Sequence, residues 1–409
     1  MLPRPDPAGA PAAGPVRDPA AADPAADPAG DPHRLDPYTA GDAELSAALG
    51  GPPAYRLSQL RAWFARGIDD PQAMTDLPRA LRDRLAEVLE PPPRVLAEVE
   101  ADAGLTRKVL LALSGSGERI EAVLMAYPAD ATRERGRATV CISTQAGCAM
   151  GCPFCATGQA GLRGQLSVGE IVRQVTVIER LLAQGRMPVE GVPDHVTNVV
   201  FMGMGEPLAN LEGTLGAVRW LTGTFGLSAR ALTVSTIGLV PGMAALTALG
   251  LPVRLAVSLH APTNTLRNDL VPANRSHPIE AVLEAADAHA EATGRRVTYE
   301  YVLIHGVNTA PEQAEQLAAL LSGRRLAHVN LIPLNATPGV AWTAPPVAVQ
   351  RAFCRHLTDA GLPATIRANR GGTIDAACGQ LYAAYQMGSG RRLPAAVGAA
   401  DRIDGLVGG

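Results

Sequence analysis

Six cysteines stand in this 409-residue chain, and three are spaced for chemistry: Cys148-Ala-Met-Gly-Cys152-Pro-Phe-Cys155. The others are Cys141, Cys354 and Cys378. Thiols gathered in one short loop suit a metal rather than disulfides, because no apolar leader follows the first charges of the chain. A structural zinc site takes four protein ligands, commonly as paired Cys-x2-Cys, and this loop offers three. Thiolates are the usual holders of iron–sulfur clusters, and three of them leave one iron of a [4Fe-4S] cluster open to an exchangeable ligand. Gly147 and Gly151 allow so short a loop to wrap around such a group.

The surrounding pattern says what positions that loop. Apolar, β-branched runs at 138–143, 197–202, 231–236, 253–259, 297–304 and 328–333 alternate with helical patterns near 167–184, 209–223, 242–248, 278–293, 310–322 and 345–360. Ser167 with Glu170 three residues on predicts a capping box opening the first helix. Six β–α units imply an α/β fold, a parallel sheet closed or partly closed into a (β/α)6 TIM-like barrel. The cysteine loop leaves the first strand at its C-terminal end, where such barrels carry their chemistry. One further strand is expected at 364–367.

Outside this barrel, assigned to 137–387, the chain divides by composition. Residues 1–52 are rich in Pro, Ala and Asp and are expected to be a disordered tail. Residues 53–115 read as a small helical accessory domain, expected to bind RNA through its arginines. There Leu57, Leu60, Trp63 and Phe64 share a face with Arg56, Arg61 and Arg66 off it, and 78–89 is a second amphipathic helix. Residues 116–136 would connect the two domains, and 388–409 read as a Gly-rich tail. The longest apolar stretch, 239–253, is interrupted by Pro241, Gly242, Gly250 and Pro252, so no membrane span is expected. The formal charge of -3 divides into -5 over residues 1–50 and +2 over the rest. Of the 36 basic residues only Lys108 is a lysine, a bias that GC-rich coding explains. A mildly basic body permits RNA binding without arguing for it.

The cysteine motif after a first barrel strand resembles that of the radical S-adenosylmethionine enzymes. Its flanks narrow the resemblance to the RlmN/Cfr adenosine methyltransferases: Cys141-Ile-Ser-Thr-Gln-Ala-Gly-Cys148, Gly203-Met-Gly-Glu-Pro-Leu208, Ser258-Leu-His-Ala-Pro262 and Ile374-Asp-Ala-Ala-Cys378-Gly-Gln-Leu381. It covers roughly residues 53–385 and implies a partial barrel of the radical SAM type with a small N-terminal helical domain. It further implies a [4Fe-4S] cluster on Cys148, Cys152 and Cys155, and two S-adenosylmethionine molecules per turnover.

The route it implies begins when one S-adenosylmethionine methylates Cys378. The second yields a radical that takes hydrogen from the new methyl group, and the S-CH2 radical adds to adenine. A base then removes the ring proton, and Cys141 attacks the Cys378 sulfur, leaving a Cys141–Cys378 disulfide. Glu121 aligns with the family's base. Gly205, Glu206, Ser235, Ser258, Leu259, His260 and Asn335 align with its cofactor contacts, Glu206 pairing with the ammonium.

Two segments depart from the family pattern: Gly164-Gln165 replaces an Arg-Asn pair, and Gly372-Thr373 replaces two acids. Cys354 matches no motif and reads as core.

The resemblance implies methylation of carbon 2 of adenosine in 23S rRNA at the peptidyl transferase centre, and of the tRNA adenosine 3′ of the anticodon. It also implies a flavodoxin-type electron donor, a cytoplasmic location and a monomer. Methylation at carbon 8, a non-catalytic iron–sulfur RNA-binding protein and a glycyl-radical activase are the competing readings. A splayed adenosine needs a stacking partner, and with aromatics at 4% of the chain, Arg163, Arg367 and Arg370 are candidates by location.

Overall fold

A computed structural model describes residues 33–130, 134–185, 190–335, 337 and 340–367. Its strands in chain order are β1 (Arg94–Ala101), β2 (Thr106–Ala112), β3 (Arg119–Tyr127), β4 (Arg137–Cys141), β5 (Gln145–Gly147), β6 (Leu162–Gln165), β7 (Asn198–Phe201), β8 (Leu232–Thr236), β9 (Arg254–Ser258), β10 (Val297–Leu303), β11 (Ala327–Pro333) and β12 (Ala364–Ile366). Ten of them form one sheet, ordered β1-β2-β3-β4-β7-β8-β9-β10-β11-β12. From β4 to β12 every neighbouring pair is parallel. Helices Val168–Ala183, Leu211–Gly223, Val240–Thr247, Ile279–Thr293, Pro311–Leu321 and Val347–Asp359 intervene, which is the partial α/β barrel expected. Ser167 and Glu170 close the capping box, with Ser167 Oγ accepting from Glu170 N at 3.1 Å.

Strand periodicity divides this sheet into two faces. Val140, Val199, Phe201, Val234, Leu255, Val257, Tyr299, Tyr301, Val329 and Leu331 are all buried in the main core. They lie against the helices; Tyr301, for example, meets Phe353 of the last helix with ring centroids 5.3 Å apart. The registers Cys141↔Val200, Val200↔Thr233, Ser235↔Ala256, Ser258↔Glu300 and Glu300↔Asn330 place those residues on the other face, which lines the open inside of the barrel. One face is greasy and the other polar.

The N-terminal part differs from the expectation of a purely helical domain. Helices Ala54–Ala65 and Arg79–Val88 are present, and Leu60, Phe64 and Leu85 are buried on their inner faces. Residues 94–101 and 106–112, however, form β1 and β2, and 119–127 of the supposed connecting segment forms β3. These three antiparallel strands extend the sheet by pairing β3 onto β4. Their Ala, Leu, Glu, Arg and Lys residues favour helix in isolation. Pairing with the otherwise open edge of β4 overrides that preference.

The supposed tail also carries structure from residue 33. Leu35 pairs with Leu89, and Asp42–Ala48 is a helix. Tyr38 is buried edge-on to Trp220 at 5.0 Å. Asp36 Oδ2 accepts from Gly169 N at 3.1 Å, so this segment docks on the start of the first barrel helix. Residues 1–32 and the C-terminal tail lie outside the described residues. The fully buried Arg173 of that helix reaches back to Asp69 at 3.0 Å and Glu90 at 2.6 Å, clamping the N-terminal part to the barrel.

Candidate active site

The loop after β4 is built on its neighbour. Gly203 N donates to Ile142 O at 2.9 Å, Thr144 N to Met204 O at 2.8 Å and Met204 N to Ser143 Oγ at 2.9 Å. A Cβ on Gly203 would stand 2.6 Å from Ile142 O, so only glycine permits this approach. Gly205 has φ of +100°, and a Cβ there would stand 2.6 Å from Gln145 Cβ. The Gly-Met-Gly-Glu-Pro motif is thus a backbone lock that fixes the entry to the cysteine loop.

Sequence reasoning missed the hairpin of β5 and β6, which closes that loop with Ala146 opposite Gly164 and Gln145 opposite Gln165. The altered Gln165 is part of this scaffold. Its Oε1 accepts from Gln145 Nε2 at 2.9 Å, while Gln145 Oε1 accepts from Glu206 N at 2.8 Å.

Within the loop, Cys148 and Cys152 are buried and Cys155 is half-buried. Burial pushes the Cys148 thiol up to about 12 and Cys152 also upward, the latter raised further by its neighbours Cys155 and Cys148. Among the described residues no three Cys, His, Asp or Glu side chains stand close enough to hold a metal ion. The donor set nonetheless fits an iron–sulfur cluster: three soft thiols in one loop, with Cys152 packed among Ala261, Leu270, Val271, Val302, Ile304 and Leu334. A bound cation would favour the thiolate form that burial opposes.

The expected cofactor residues gather at the C-terminal ends of the strands around this loop. Glu206, after β7, is buried; its Oε1 accepts from Leu208 N at 3.1 Å and its Oε2 from Ile237 N at 2.9 Å. Burial outweighs these bonds and raises its carboxyl to about 7. Ser235 Oγ donates to Phe201 O at 2.6 Å. Ser258 ends β9, and Leu259 N donates to Glu300 O at 3.0 Å.

His260 is buried with φ of +62°, and its Nδ1 accepts from Val302 N at 3.1 Å. Burial lowers it to about 3, so at neutral pH the ring is uncharged with its proton on Nε2. Phe154 of the cysteine loop meets this ring edge-on at 4.9 Å. Asn335 is buried just beyond β11, and Gln159 of the cysteine loop reaches Thr337 two residues further on at 3.4 Å.

Glu121 and Cys141 lie on β3 and β4. Both are buried, and the register Val123↔Cys141 puts them on the polar face of the sheet. Cys378, Arg370 and the altered pair Gly372-Thr373 lie outside the described residues. Two proposed RNA stackers are engaged within the chain: Arg163 pairs with Glu118 at 2.9 Å and Arg367 with Glu300 at 3.7 Å. Cys354 packs against the core with Sγ 3.8 Å from Ala364 O.

Three further residues escaped sequence reasoning. Buried Glu300 accepts from Asn330 Nδ2 at 3.0 Å inside the barrel. Arg267 is fully buried and spans Ile237 O at 2.5 Å, Ser258 O at 3.1 Å and Leu259 O at 3.0 Å, tying together the ends of β8 and β9. Lys108 is buried with Nζ 3.1 Å from Glu121 Oε1. A charged residue inside a strand pattern breaks the apolar signal, and for Lys108 the one available cue was its being the chain's single lysine.

Comparison with known proteins agrees with this geometry. Residues 142–320 match the Radical SAM superfamily. A protein from Acidothermus cellulolyticus described as a probable dual-specificity RNA methyltransferase RlmN is 49% identical over 358 residues, covering 82% of this chain and 83% of its own. One of the same description from Frankia casuarinae is 53% identical, covering 81% and 78%. The crystal structure of a radical SAM methyltransferase from Sphaerobacter thermophilus superposes with a TM-score of 0.77 at 45% identity, covering 86% of this chain and all of that one. Among the described residues no helix is long and apolar enough to cross a membrane.

Proposed function

Because the chain belongs to the RlmN family of radical S-adenosylmethionine RNA methyltransferases, we propose that it methylates carbon 2 of adenosine in 23S rRNA and in tRNA. The rRNA target is the peptidyl transferase centre and the tRNA target the adenosine 3′ of the anticodon. The relatives' dual specificity supports two RNA substrates. One observation carries the reading: a single polar face of the sheet holds Glu121, Cys141, Ser235 and Ser258, while the cysteine loop and Glu206 close its C-terminal end.

The chemistry asks for that arrangement. Carbon 2 of adenine is electron-poor, so direct displacement by a methyl cation has no driving force there. A [4Fe-4S] cluster on Cys148, Cys152 and Cys155, with S-adenosylmethionine on its open iron, would supply a carbon-centred radical.

The chain's own residues do the rest. Glu206, ionised, pairs with the cofactor's ammonium, while Gly205, Ser235, Ser258 to His260 and Asn335 frame the cofactor. Neutral His260 offers Nε2–H as a donor and adds no charge beside a cationic sulfonium. Cys378 would carry the one-carbon unit to the ring; Glu121 would accept the ring proton as the adduct gives its unpaired electron to a one-electron acceptor; and Cys141 would attack the Cys378 sulfur, forming the Cys141–Cys378 disulfide as the S–CH2 bond breaks and the product carbon takes up a proton. Two S-adenosylmethionine molecules are consumed, one as methyl donor and one as radical source. An electron donor of flavodoxin type would dock from the cytoplasm in which ribosomes and tRNA are found.

The test is an anaerobic reaction of reconstituted protein with S-adenosylmethionine, a reductant and unmodified 23S rRNA, read by mass-resolved nucleoside analysis. The expected result is 2-methyladenosine, lost in Cys378→Ala. An 8-methyl product would overturn the position assigned. Absence of both deoxyadenosine and methylated product would favour a structural cluster.

A further inference from the structure

The ion pair between Lys108 and Glu121 has a chemical consequence. Lys108 belongs to β2 and Glu121 to β3, and the registers Lys108↔Val123 and Val123↔Cys141 put Lys108, Glu121 and Cys141 on one face of the sheet. Glu121 is 3% exposed and Lys108 6% exposed, with Nζ and Oε1 3.1 Å apart. A carboxylate so buried pays a large desolvation penalty for its charge, which favours the protonated form. A protonated carboxyl cannot act as a base. An adjacent buried cation reverses that preference and orients the oxygen it holds.

We infer that Lys108 is a positioning residue for the methyl-transfer reaction: it keeps Glu121 ionised and aimed for removal of the adenine ring proton. This rests on the reading of Glu121 as the base. In that step the Glu121 oxygen forms a bond to the proton, and the C–H electron pair stays with the ring system. Lys108 exchanges no proton in that step and stabilises the carboxylate before transfer, not the product after it. Among the described residues, the titratable side chains on the same face of these strands are Lys108 of β2, Arg119 and Tyr127 of β3, and Arg137 and Cys141 of β4. Glu170 of the first barrel helix approaches the β2–β3 turn, where its Oε1 accepts from Ser116 N at 2.9 Å.

The test uses full-length, anaerobically reconstituted protein with an RNA substrate. It follows the covalent protein–RNA adduct on denaturing gels and the release of methylated nucleoside as pH is varied. Lys108→Met keeps the volume of the side chain and removes the charge. It is expected to form adduct as the wild type does, yet to resolve it at least about tenfold more slowly at pH 7, with the rate recovering as pH rises. Lys108→Arg keeps the charge and is expected to keep the wild-type pH profile.

Should Lys108→Met fail to fold by circular dichroism, Lys108→Gln supplies the neutral variant. Equal slowing at every pH would mean a merely structural role and would overturn the inference. So would resolution at the wild-type rate in the neutral variant while Glu121→Gln stalls as adduct. If Glu121→Gln itself resolves the adduct normally, the reading of Glu121 as base fails instead.

Discussion

Two of the buried carboxylates, Glu206 and Glu121, are held by opposite means. Glu206, at the end of β7, is gripped by the backbone: Leu208 N and Ile237 N donate to its oxygens, and its own amide is held by Gln145. Glu121, on β3, is held by a buried ammonium. The carboxyl of the first is raised to about 7, since amide dipoles offset only part of its desolvation. The second has its counter-ion built in. On the roles proposed above, the carboxylate that receives a positive ligand has no paired cation among the described residues, whereas the one that accepts a proton has Lys108 beside it. On those proposed roles the parallel half of the sheet provides a receiving site, and the antiparallel extension a poised one.

The strongest way to break this division is to remove the receiving end's reason to exist. Cys152→Ala should abolish iron binding and visible absorption after reconstitution, while hydrogen exchange across β2 and β3 stays at wild-type protection.

Next, Glu206→Gln should weaken S-adenosylmethionine binding by roughly 10- to 100-fold, measured by calorimetry, because a charged partner is lost. In the wild type, affinity should fall about tenfold per pH unit below 7 and level off above it, since binding the ammonium requires the ionised carboxyl. Stability should run the other way. With its native value raised from 4.5 to about 7, Glu206 contributes stability that is complete below 4.5 and lost as pH rises through 7. Glu206→Gln should therefore unfold at higher denaturant than wild type at pH 8, by roughly 2–4 kcal/mol.

Gly205→Ala should cost about 1–3 kcal/mol in a urea titration, because its backbone sits at φ of +100° against Gln145. The smallest effect is expected from Gln165→Ala, about 1 kcal/mol of hydrogen bonding and a few-fold in cofactor affinity, read in the same calorimeter. An unchanged affinity there would mean that Gln145 needs no support to hold Glu206.

The same contrast explains what was legible beforehand. Strands β4 and β7 to β11 announce themselves as apolar, β-branched runs because helices cover one face along their whole length. Strands β1 to β3 did not, since Lys108 and Glu121 interrupt the apolar pattern and their neighbours favour helix. Cys141, Glu206 and Ser258 were found because they lie at strand ends within recognisable motifs. Arg267 sits on a short helix, Asn264–Leu270, with nothing local to show that three carbonyls from two other segments surround it. The hairpin of β5 and β6 escaped because it is three to four residues long and joins segments fifteen residues apart.

By itself the sequence determined the candidate ligand set, the order of the β–α units and the reaction class. Each depends on residue identity and short-range spacing, and three thiols in one loop are soft ligands whatever surrounds them. The tertiary structure decided which charges meet. Lys108 and Glu121 are thirteen positions apart, and only the pairing of β2 with β3 brings them to 3.1 Å where both side chains are buried. That registry is a property of the whole sheet, because shifting one strand by a residue would turn each of these side chains to the opposite face.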